Sequence, residues 1–331
     1  MLRSSHDRVA SVPAVTSADS TAENGAPERT ATDDDDPPPA GWPGPVSVVI
    51  PVRNGEHWLD EQLAALGDQD YEGEWELIVS DNGSTDGTVA VVARWQERLP
   101  HLRLVDASAA PGAAFARNEA AIQAKGRFLA FCDADDVVSL SWLRQLVARS
   151  QPGAVVGGDF DEQTLNEELT ATWAYWHPPL PVAGLPRHLG FLPFARGANF
   201  GSDADVWSAL GGCRDVVTAE DVDFCWRAQL AGYELRHAPE AVVHYRLRPD
   251  IRSSMRQGFN YGRADTALFA LYRRHGLRAP SLKRVARTYA ALTFRAPQAL
   301  VQERWRGRWC RAVAYRAGRL RGSVDRRVWY L

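Results

Sequence analysis

The spacing of apolar residues changes several times along the chain, and each change marks an element. "PVSVVIPVRN" carries the β-branched run Val46 to Ile50, which predicts a buried strand. "EHWLDEQLAALG" then places apolar residues at helical spacing before a glycine stop. "WELIVSDNGSTDGT" is a strand running into a turn, "VAVVARWQERL" a helix, "LRLVDA" a strand, and "AAFARNEAAIQAKG" a helix that Gly126 closes. "RFLAFCD" is a further strand and "SWLRQLVARS" a further helix. Short strands alternating with helices predict βαβ units, hence an α/β fold with a mostly parallel sheet flanked by helices. Functional groups in such a fold collect at the carboxyl ends of the strands. Pro51 to Asn54, Asp81 to Asp86 and Asp133 to Asp136 all fall there.

From about Gly157 to Gly201 the pattern breaks down. "TWAYWHPPLP" is aromatic and Pro-rich and reads as a long loop over the sheet. Order returns with "SDADVWSALGG" and the helix "AEDVDFCWRAQLAG", while "YELRHAPEAVVHYRLR" reads as strand, turn, strand. Beyond Arg252 the chain reads as helical. One stripe there carries Leu282, Val285, Tyr289 and Leu292, and a second carries Val301, Trp305, Trp309, Val313 and Leu320. Gly307 and Gly318 weaken that second helix. Residues 1–45 contain Asp33 to Asp36, Pro37 to Pro39 and little to bury, which predicts disorder. The expected organisation is a disordered segment 1–45, an α/β domain 46–250 and a basic, Arg- and Trp-rich helical region 251–331.

Charge changes the picture of that last region. The net charge of −3 hides eighteen Arg and one Lys against three acids from Arg252 onward, a local +16 that leaves −19 for the rest. Such a tail suits an anionic partner, and Trp opposite Arg on a helix suits an anionic membrane face better than nucleic acid. The competing reading packs the stripes on the preceding domain and leaves the arginines solvated. The four cysteines, Cys132, Cys213, Cys225 and Cys310, show no C-x-x-C spacing, so neither a disulfide framework nor a zinc site is signalled. With no apolar run of spanning length and no secretion signal, the expectation is a cytoplasmic protein, on the inner face of the cell membrane if the tail binds it.

Three acidic groups carry candidate chemistry. Asp133, Asp135 and Asp136 end a buried strand, and closely spaced hard oxygen ligands suit Mg²⁺ or Mn²⁺. They also suit a helix start, with Asp136 opening the helix that follows. Asp81 heads the turn "SDNGSTDGT", in which Ser84, Thr85 or Asp86 can cap the next helix. Glu220 and Asp221 open a helix, with Asp223 close behind; a carboxylate there facing a cleft is a general base, and one facing solvent merely complements the helix dipole. His244 in "VVHYRLR" is a metal ligand or a structural histidine.

"VSVVIPVRNGEHWLDEQLAAL", "ELIVSDNGSTDGT", "ARNEAAIQAKGRFLAFCDADD", "RGANFGSDADVWSALGG" and "AEDVDFCWRAQLAGYELRHAPEAVVHYR", in this order, resemble the family 2 glycosyltransferases, which have the GT-A fold. The resemblance covers about residues 45 to 250. It implies that Pro51, Val52 and the segment to Asn54 line the nucleotide pocket and that Asp81 binds the base. Arg117 would lie over the nucleotide, with Asn118 supporting its loop. Asp133 and Asp135 match the family's DxD element, Asp135 binding the metal and Asp133 the ribose or metal. Asp221, beside Glu220, matches the general base, and His244 a position that completes the metal site in some members. Gly197 and Asn199 match an acceptor-side segment.

The implied activity is inverting, divalent-metal-dependent transfer from a nucleotide-diphosphate sugar, a UDP-sugar by preference, to a hydroxyl of a glycan or lipid-linked acceptor in cell-envelope or exopolysaccharide synthesis. The family's processive Q-x-x-R-W element is absent, since "QERW" (Gln302 to Trp305) is one residue short, so the resemblance implies the addition of one or a few sugars. Two other readings compete. A sugar-phosphate nucleotidyltransferase of related fold would open with a Gly-rich phosphate loop, which "PVRNGEHW" lacks. A non-catalytic nucleotide-sugar- or membrane-binding module leaves Asp81, Asp133, Asp135 and Asp221 without a joint purpose.

Overall fold

The computed structural model describes residues 44–166 and 184–331. The readings of residues 1–43 and of "TWAYWHPPLP" lie outside these. In chain order the described elements are β1 (Val46–Val52), α1 (Leu59–Gly67), β2 (Trp75–Asp81), α2 (Thr88–Gln96), β3 (Leu102–Asp106), α3 (Ala113–Gln123), β4 (Phe128–Cys132), β5 (Val137–Val138) and α4 (Trp142–Ala148). They continue with β6 (Ala154–Asp161), β7 (Asn199–Asp203), α5 (Ala204–Leu210), α6 (Glu220–Leu230), β8 (Glu234–His244), α7 (Ile251–Tyr272), α8 (Leu282–Val301) and α9 (Glu303–Arg326).

The strands form one sheet in the order β3-β2-β1-β4-β7-β6-β8-β5. The first four pair in parallel, as the βαβ pattern predicts. β7 then enters antiparallel to both β4 and β6, so the sheet is mixed. One face carries α1, α2 and α4 over a core of Val48, Ile50, Leu63, Leu77 and Trp142. The other carries α3, α5 and α6 over Val49, Ile78, Phe131, Phe200 and Phe224. Burial on both faces explains why β4 reads as an unbroken apolar run, and β1 as one interrupted only by Ser47, rather than as alternating patterns.

Two expectations are corrected. "YELRHAPEAVVH" is not a hairpin: β8 runs unbroken from Glu234 to His244 beside β6, with a register shift after Gly158. Pro239 lies in the stretch skipped by that shift, where its missing N–H costs no ladder bond. The breakdown near Gly157 conceals β6, which needs glycines. A Cβ on Gly157 would lie 2.5 Å from the Ala195 Cβ, and one on Gly158 2.2 Å from the Ala241 carbonyl oxygen.

The C-terminal helices pack on the sheet domain. Tyr272 of α7 donates to the buried Asp223 carboxylate at 2.6 Å, and His188 pairs with the buried Asp265 of α7 at 2.8 Å. α9 runs parallel to α7, and Asp265 also accepts from Arg319 Nε at 2.9 Å and from Tyr315. Val285, Tyr289, Leu292, Trp305, Trp309 and Val313 are half-buried. The helix breaks at Gln302, so Val301 belongs to α8 and is 82% exposed, while Leu282 is 85% exposed. No described helix is long and apolar enough to cross a membrane.

Candidate active site

The carboxyl ends of β1 and β4 open into a cleft of about 1510 Å³ that extends between the sheet domain and the C-terminal helices. Pro51, Val52, Asn54, Arg117, Asp133, Asp135, Glu220 and Asp221 all line it. β1 delivers Pro51 and Val52, and the next loop turns at Asn54, which takes a left-handed φ of 57°. That loop is tied to the one after β2. Asn54 N–H donates to Ser84 Oγ at 2.9 Å, Thr85 N–H to Asn54 Oδ1 at 2.8 Å, and Gly55 N–H to Thr88 Oγ1 at 2.8 Å. Asp81 is buried and accepts from Ser84 N–H at 3.2 Å, behind the tied loops rather than in the cleft wall.

Arg117 of α3 is the hub. It is 2% exposed, yet its guanidinium reaches the Asp133 carboxylate at 2.7 Å, Glu220 at 2.8 Å and the Gly197 carbonyl at 3.2 Å. Burial alone would lower its pKa, but the Asp133 and Glu220 charges hold it above its ordinary value. It thus fixes the end of β4 against the start of α6. Asn118 does a parallel job, exchanging two hydrogen bonds with the backbone of Cys213, at 2.8 and 2.9 Å.

Asp221 accepts from Gly197 N–H and Val222 N–H, each at 2.7 Å. Burial and the adjacent Glu220 charge outweigh those bonds and push its pKa up to about 6. A carboxylate ionised near neutral pH, yet basic enough to accept a proton, suits a general base. Asp223 faces away, pairing with Arg227 at 2.7 Å and with Tyr272. Asn199 is fully buried and staples β7 through Trp142, Asp159 and Ala241, so it offers nothing to a ligand.

Asp133, Asp135 and Asp136 bring carboxylate oxygens within 4.8 Å of one another. Asp136 is not a helix start. It is 1% exposed, precedes β5, and accepts from Arg246 N–H at 2.8 Å through one oxygen. Its other oxygen has no partner among the described residues. Burial and the charges of Asp135 and Asp133 hold its carboxyl well above the usual range. An orphaned buried oxygen beside two further carboxylates fits a hard divalent cation. His244 is not in this group; its Nδ1 pairs with Asp161 at 2.8 Å. Thr164, Gln163 and His244 together outweigh burial there and bring Asp161 down to about 2.

Sequence reasoning missed two cations. Arg248 pairs with Asp135 at 2.8 Å, and Arg246 donates to the Asp135 carbonyl at 2.9 Å while its guanidinium lies 4.3 Å over Trp58. The only signal was two arginines two positions apart after His244, at the close of the stretch read as strand, turn, strand.

With this geometry in hand, the comparisons are decisive. The sequence model described as glycosyl transferase family 2 matches residues 47–186, and that for glycosyl transferase family group 2 matches residues 166–287. The chain belongs to the family 2 glycosyltransferases. This glycosyltransferase is 28% identical over 232 residues to glycosyltransferase AglE of Haloferax volcanii, covering 69% of this chain and 75% of the relative. It is 38% identical over 92 residues, 28% of the chain, to WfgD of Escherichia coli, a UDP-Glc:α-D-GlcNAc-diphosphoundecaprenol β-1,3-glucosyltransferase; the match spans 35% of that relative. Among solved structures, the mannosyltransferase PcManGT of Pyrobaculum calidifontis, in complex with GDP-Man and Mn²⁺, superposes with a TM-score of 0.65 at 22% identity, covering 88% of this chain and 90% of that one. That likeness establishes the shared GT-A fold.

Proposed function

We propose that this glycosyltransferase moves a sugar from a nucleotide-diphosphate sugar to an acceptor hydroxyl in a single displacement that inverts the anomeric carbon, in cell-envelope glycan synthesis. The observation that carries the reading is the Arg117 bridge, which ties Asp133 to Glu220 and so sets the Asp133 and Asp135 carboxylates and the Glu220–Asp221 pair on one cleft. Asp133, Asp135 and Asp136 would hold Mn²⁺ or Mg²⁺. When bound, the cation neutralises the leaving diphosphate. Asp221 takes the proton from the attacking hydroxyl, and the Gly197 and Val222 amides fix the orientation of its carboxylate. Arg117 is a positioning residue. Pro51, Val52 and Asn54 would bound the donor pocket, with Asp81 behind the loop that forms it. His244 then serves β8 and Asp161 rather than the metal. No covalent nucleophile enters.

UDP-sugars are the first donors to test, because WfgD is named for UDP-Glc; the GDP-Man complex of PcManGT supplies the comparison arm. The acceptor is a glycan or a lipid-linked sugar. We place the enzyme in the cytoplasm, at the membrane face, through the outward apolar side chains of α8. A thermal-shift panel of nucleotide sugars with and without Mn²⁺ tests donor and metal together, with stabilisation by one donor only when metal is present. Asp221→Asn should keep that stabilisation and lose transfer by roughly 10²–10⁴-fold. Transfer at the undiminished rate would remove Asp221 from the mechanism.

A further inference from the structure

The cleft changes sign along its length. At the catalytic end the acidic side chains in its wall other than Asp221 have cationic partners: Asp133 and Glu220 share Arg117, Asp135 has Arg248, and Glu162 has Arg196, while Asp221 is held by backbone amides. The far arm, between α7, α8 and α9, is lined by Arg256, Arg284, Arg287, Arg295, Arg311 and Arg316. Among the described residues none of these six has a carboxylate within 4.0 Å. The one acid in that arm, Asp265, is already taken by Arg319 and His188. Arg311 is held by neutral groups, Gln257 Oε1 at 2.6 Å and Ser254. Burial and the neighbouring Arg319 charge push Arg316 below its ordinary pKa, as expected where cations are crowded without a counter-ion.

The arrangement follows helical spacing. Arg284, Thr288, Ala291 and Arg295 stand at intervals of four, three and four, so α8 turns one stripe into the cleft. At 1.5 Å per residue that stripe is roughly 16 Å long. Leu292, Ala312 and Tyr315 line the same arm, so its wall is apolar between the guanidinium groups.

Resting on the transferase reading of the adjoining site, we propose that this arm is the acceptor subsite and that the acceptor is an anion, a sugar held on a phosphate or diphosphate ester. Guanidinium groups match phosphate oxygens bidentately, and the arm offers them without the carboxylates that would call for a metal. The donor diphosphate goes to the acidic end and the acceptor phosphate to the basic end, with Asp221 between them. The shared chemistry is the phosphate ester, whether borne on a lipid or on a soluble glycan.

The test uses the full chain and inorganic pyrophosphate with divalent ions chelated, which leaves the acidic end unable to bind it. Calorimetry should show binding that weakens at least roughly tenfold in Arg284→Gln/Arg287→Gln/Arg295→Gln. The corresponding triple Lys variant should restore part of it, and Asp135→Asn should leave it unchanged. Equal binding by the wild type and the Gln variant, or loss with Asp135→Asn, overturns the proposal. UDP binding with Mn²⁺, measured on the same variants, tests the transferase reading separately: it should survive in the Gln variant, and its absence in the wild type would sink that reading and not this one. Sedimentation with phosphatidylcholine vesicles carrying a polyprenyl phosphate, against vesicles matched in charge with phosphatidylglycerol, separates the sources. Preference for the former assigns a lipid-borne phosphate, and no preference assigns a soluble one.

Discussion

At the scale of single residues, the active site is a problem in holding like charges together. Asp133, Glu220 and Asp221 converge on one wall, and the buried Arg117 is what permits it. Arg117→Met leaves two carboxylates facing each other across an apolar gap, and unfolding free energy should fall by roughly 3–5 kcal/mol in urea titration. Arg117→Lys keeps the charge but not the fork, and should fall in between. The pH profile is the second residue-scale consequence. The proposed base Asp221 would act when ionised, so kcat should drop as pH falls through about 6. Glu220 is a cause of that raised value, so Glu220→Gln should move the acid limb to lower pH. A limb that stays in place would detach it from Asp221. Asp133, Asp135 and Asp221 were legible in the sequence because each sits at the end of a strong local pattern. Asp136 was misassigned and Arg246 and Arg248 were missed because their meaning is a contact across 110 or more residues, which no local spacing records.

At the scale of elements, glycine decides where helices and strands touch. Gly258 and Gly262 on α7, and Gly318 and Gly322 on α9, stand four apart, and each pair lets the two backbones approach. A Cβ on Gly262 would lie 2.0 Å from the Tyr315 carbonyl oxygen, and one on Gly318 2.0 Å from that of Phe259. Glycine to alanine inside a helix ordinarily stabilises by about 1 kcal/mol. Here the sign should reverse, with Gly262→Ala or Gly318→Ala costing roughly 1–3 kcal/mol and lowering the Tm. A raised Tm would mean that α7 and α9 do not approach as closely as described. Read as a sequence, Gly318 merely weakened a helix. The same blindness hid β6, where Gly157 and Gly158 spoil the strand pattern because Ala195 and Ala241 press against them. The βαβ half of the sheet was legible, since propensity and packing agree there. The antiparallel β7 and the unbroken β8 were not, because the partners that fix them are remote.

At the scale of the whole molecule, charge is divided along the chain: +16 from Arg252 onward and −19 before it. The helices that carry the positive part dock on the sheet domain through Asp265, His188 and Tyr272 rather than extending away, so packing and surface contact are not alternatives. The side chains first counted as a membrane stripe mostly face inward, while Phe294, Leu300 and Val301 at the end of α8 are 77–87% exposed. Exposed apolar groups on an arginine-rich body are what an anionic interface would hold, apolar groups in the acyl boundary and guanidinium groups at the phosphates. Burying each large side chain is worth roughly 1.5–3 kcal/mol. Phe294→Ser/Leu300→Ser should therefore lower partitioning into phosphatidylglycerol vesicles by at least about a hundredfold. Because both residues are exposed, the Tm and the pyrophosphate binding of the arm should not move. Binding should also weaken with salt, since the arginine contribution is screened over about 8–10 Å at physiological ionic strength. Unchanged sedimentation of the double variant would mean that α8 does not enter the bilayer.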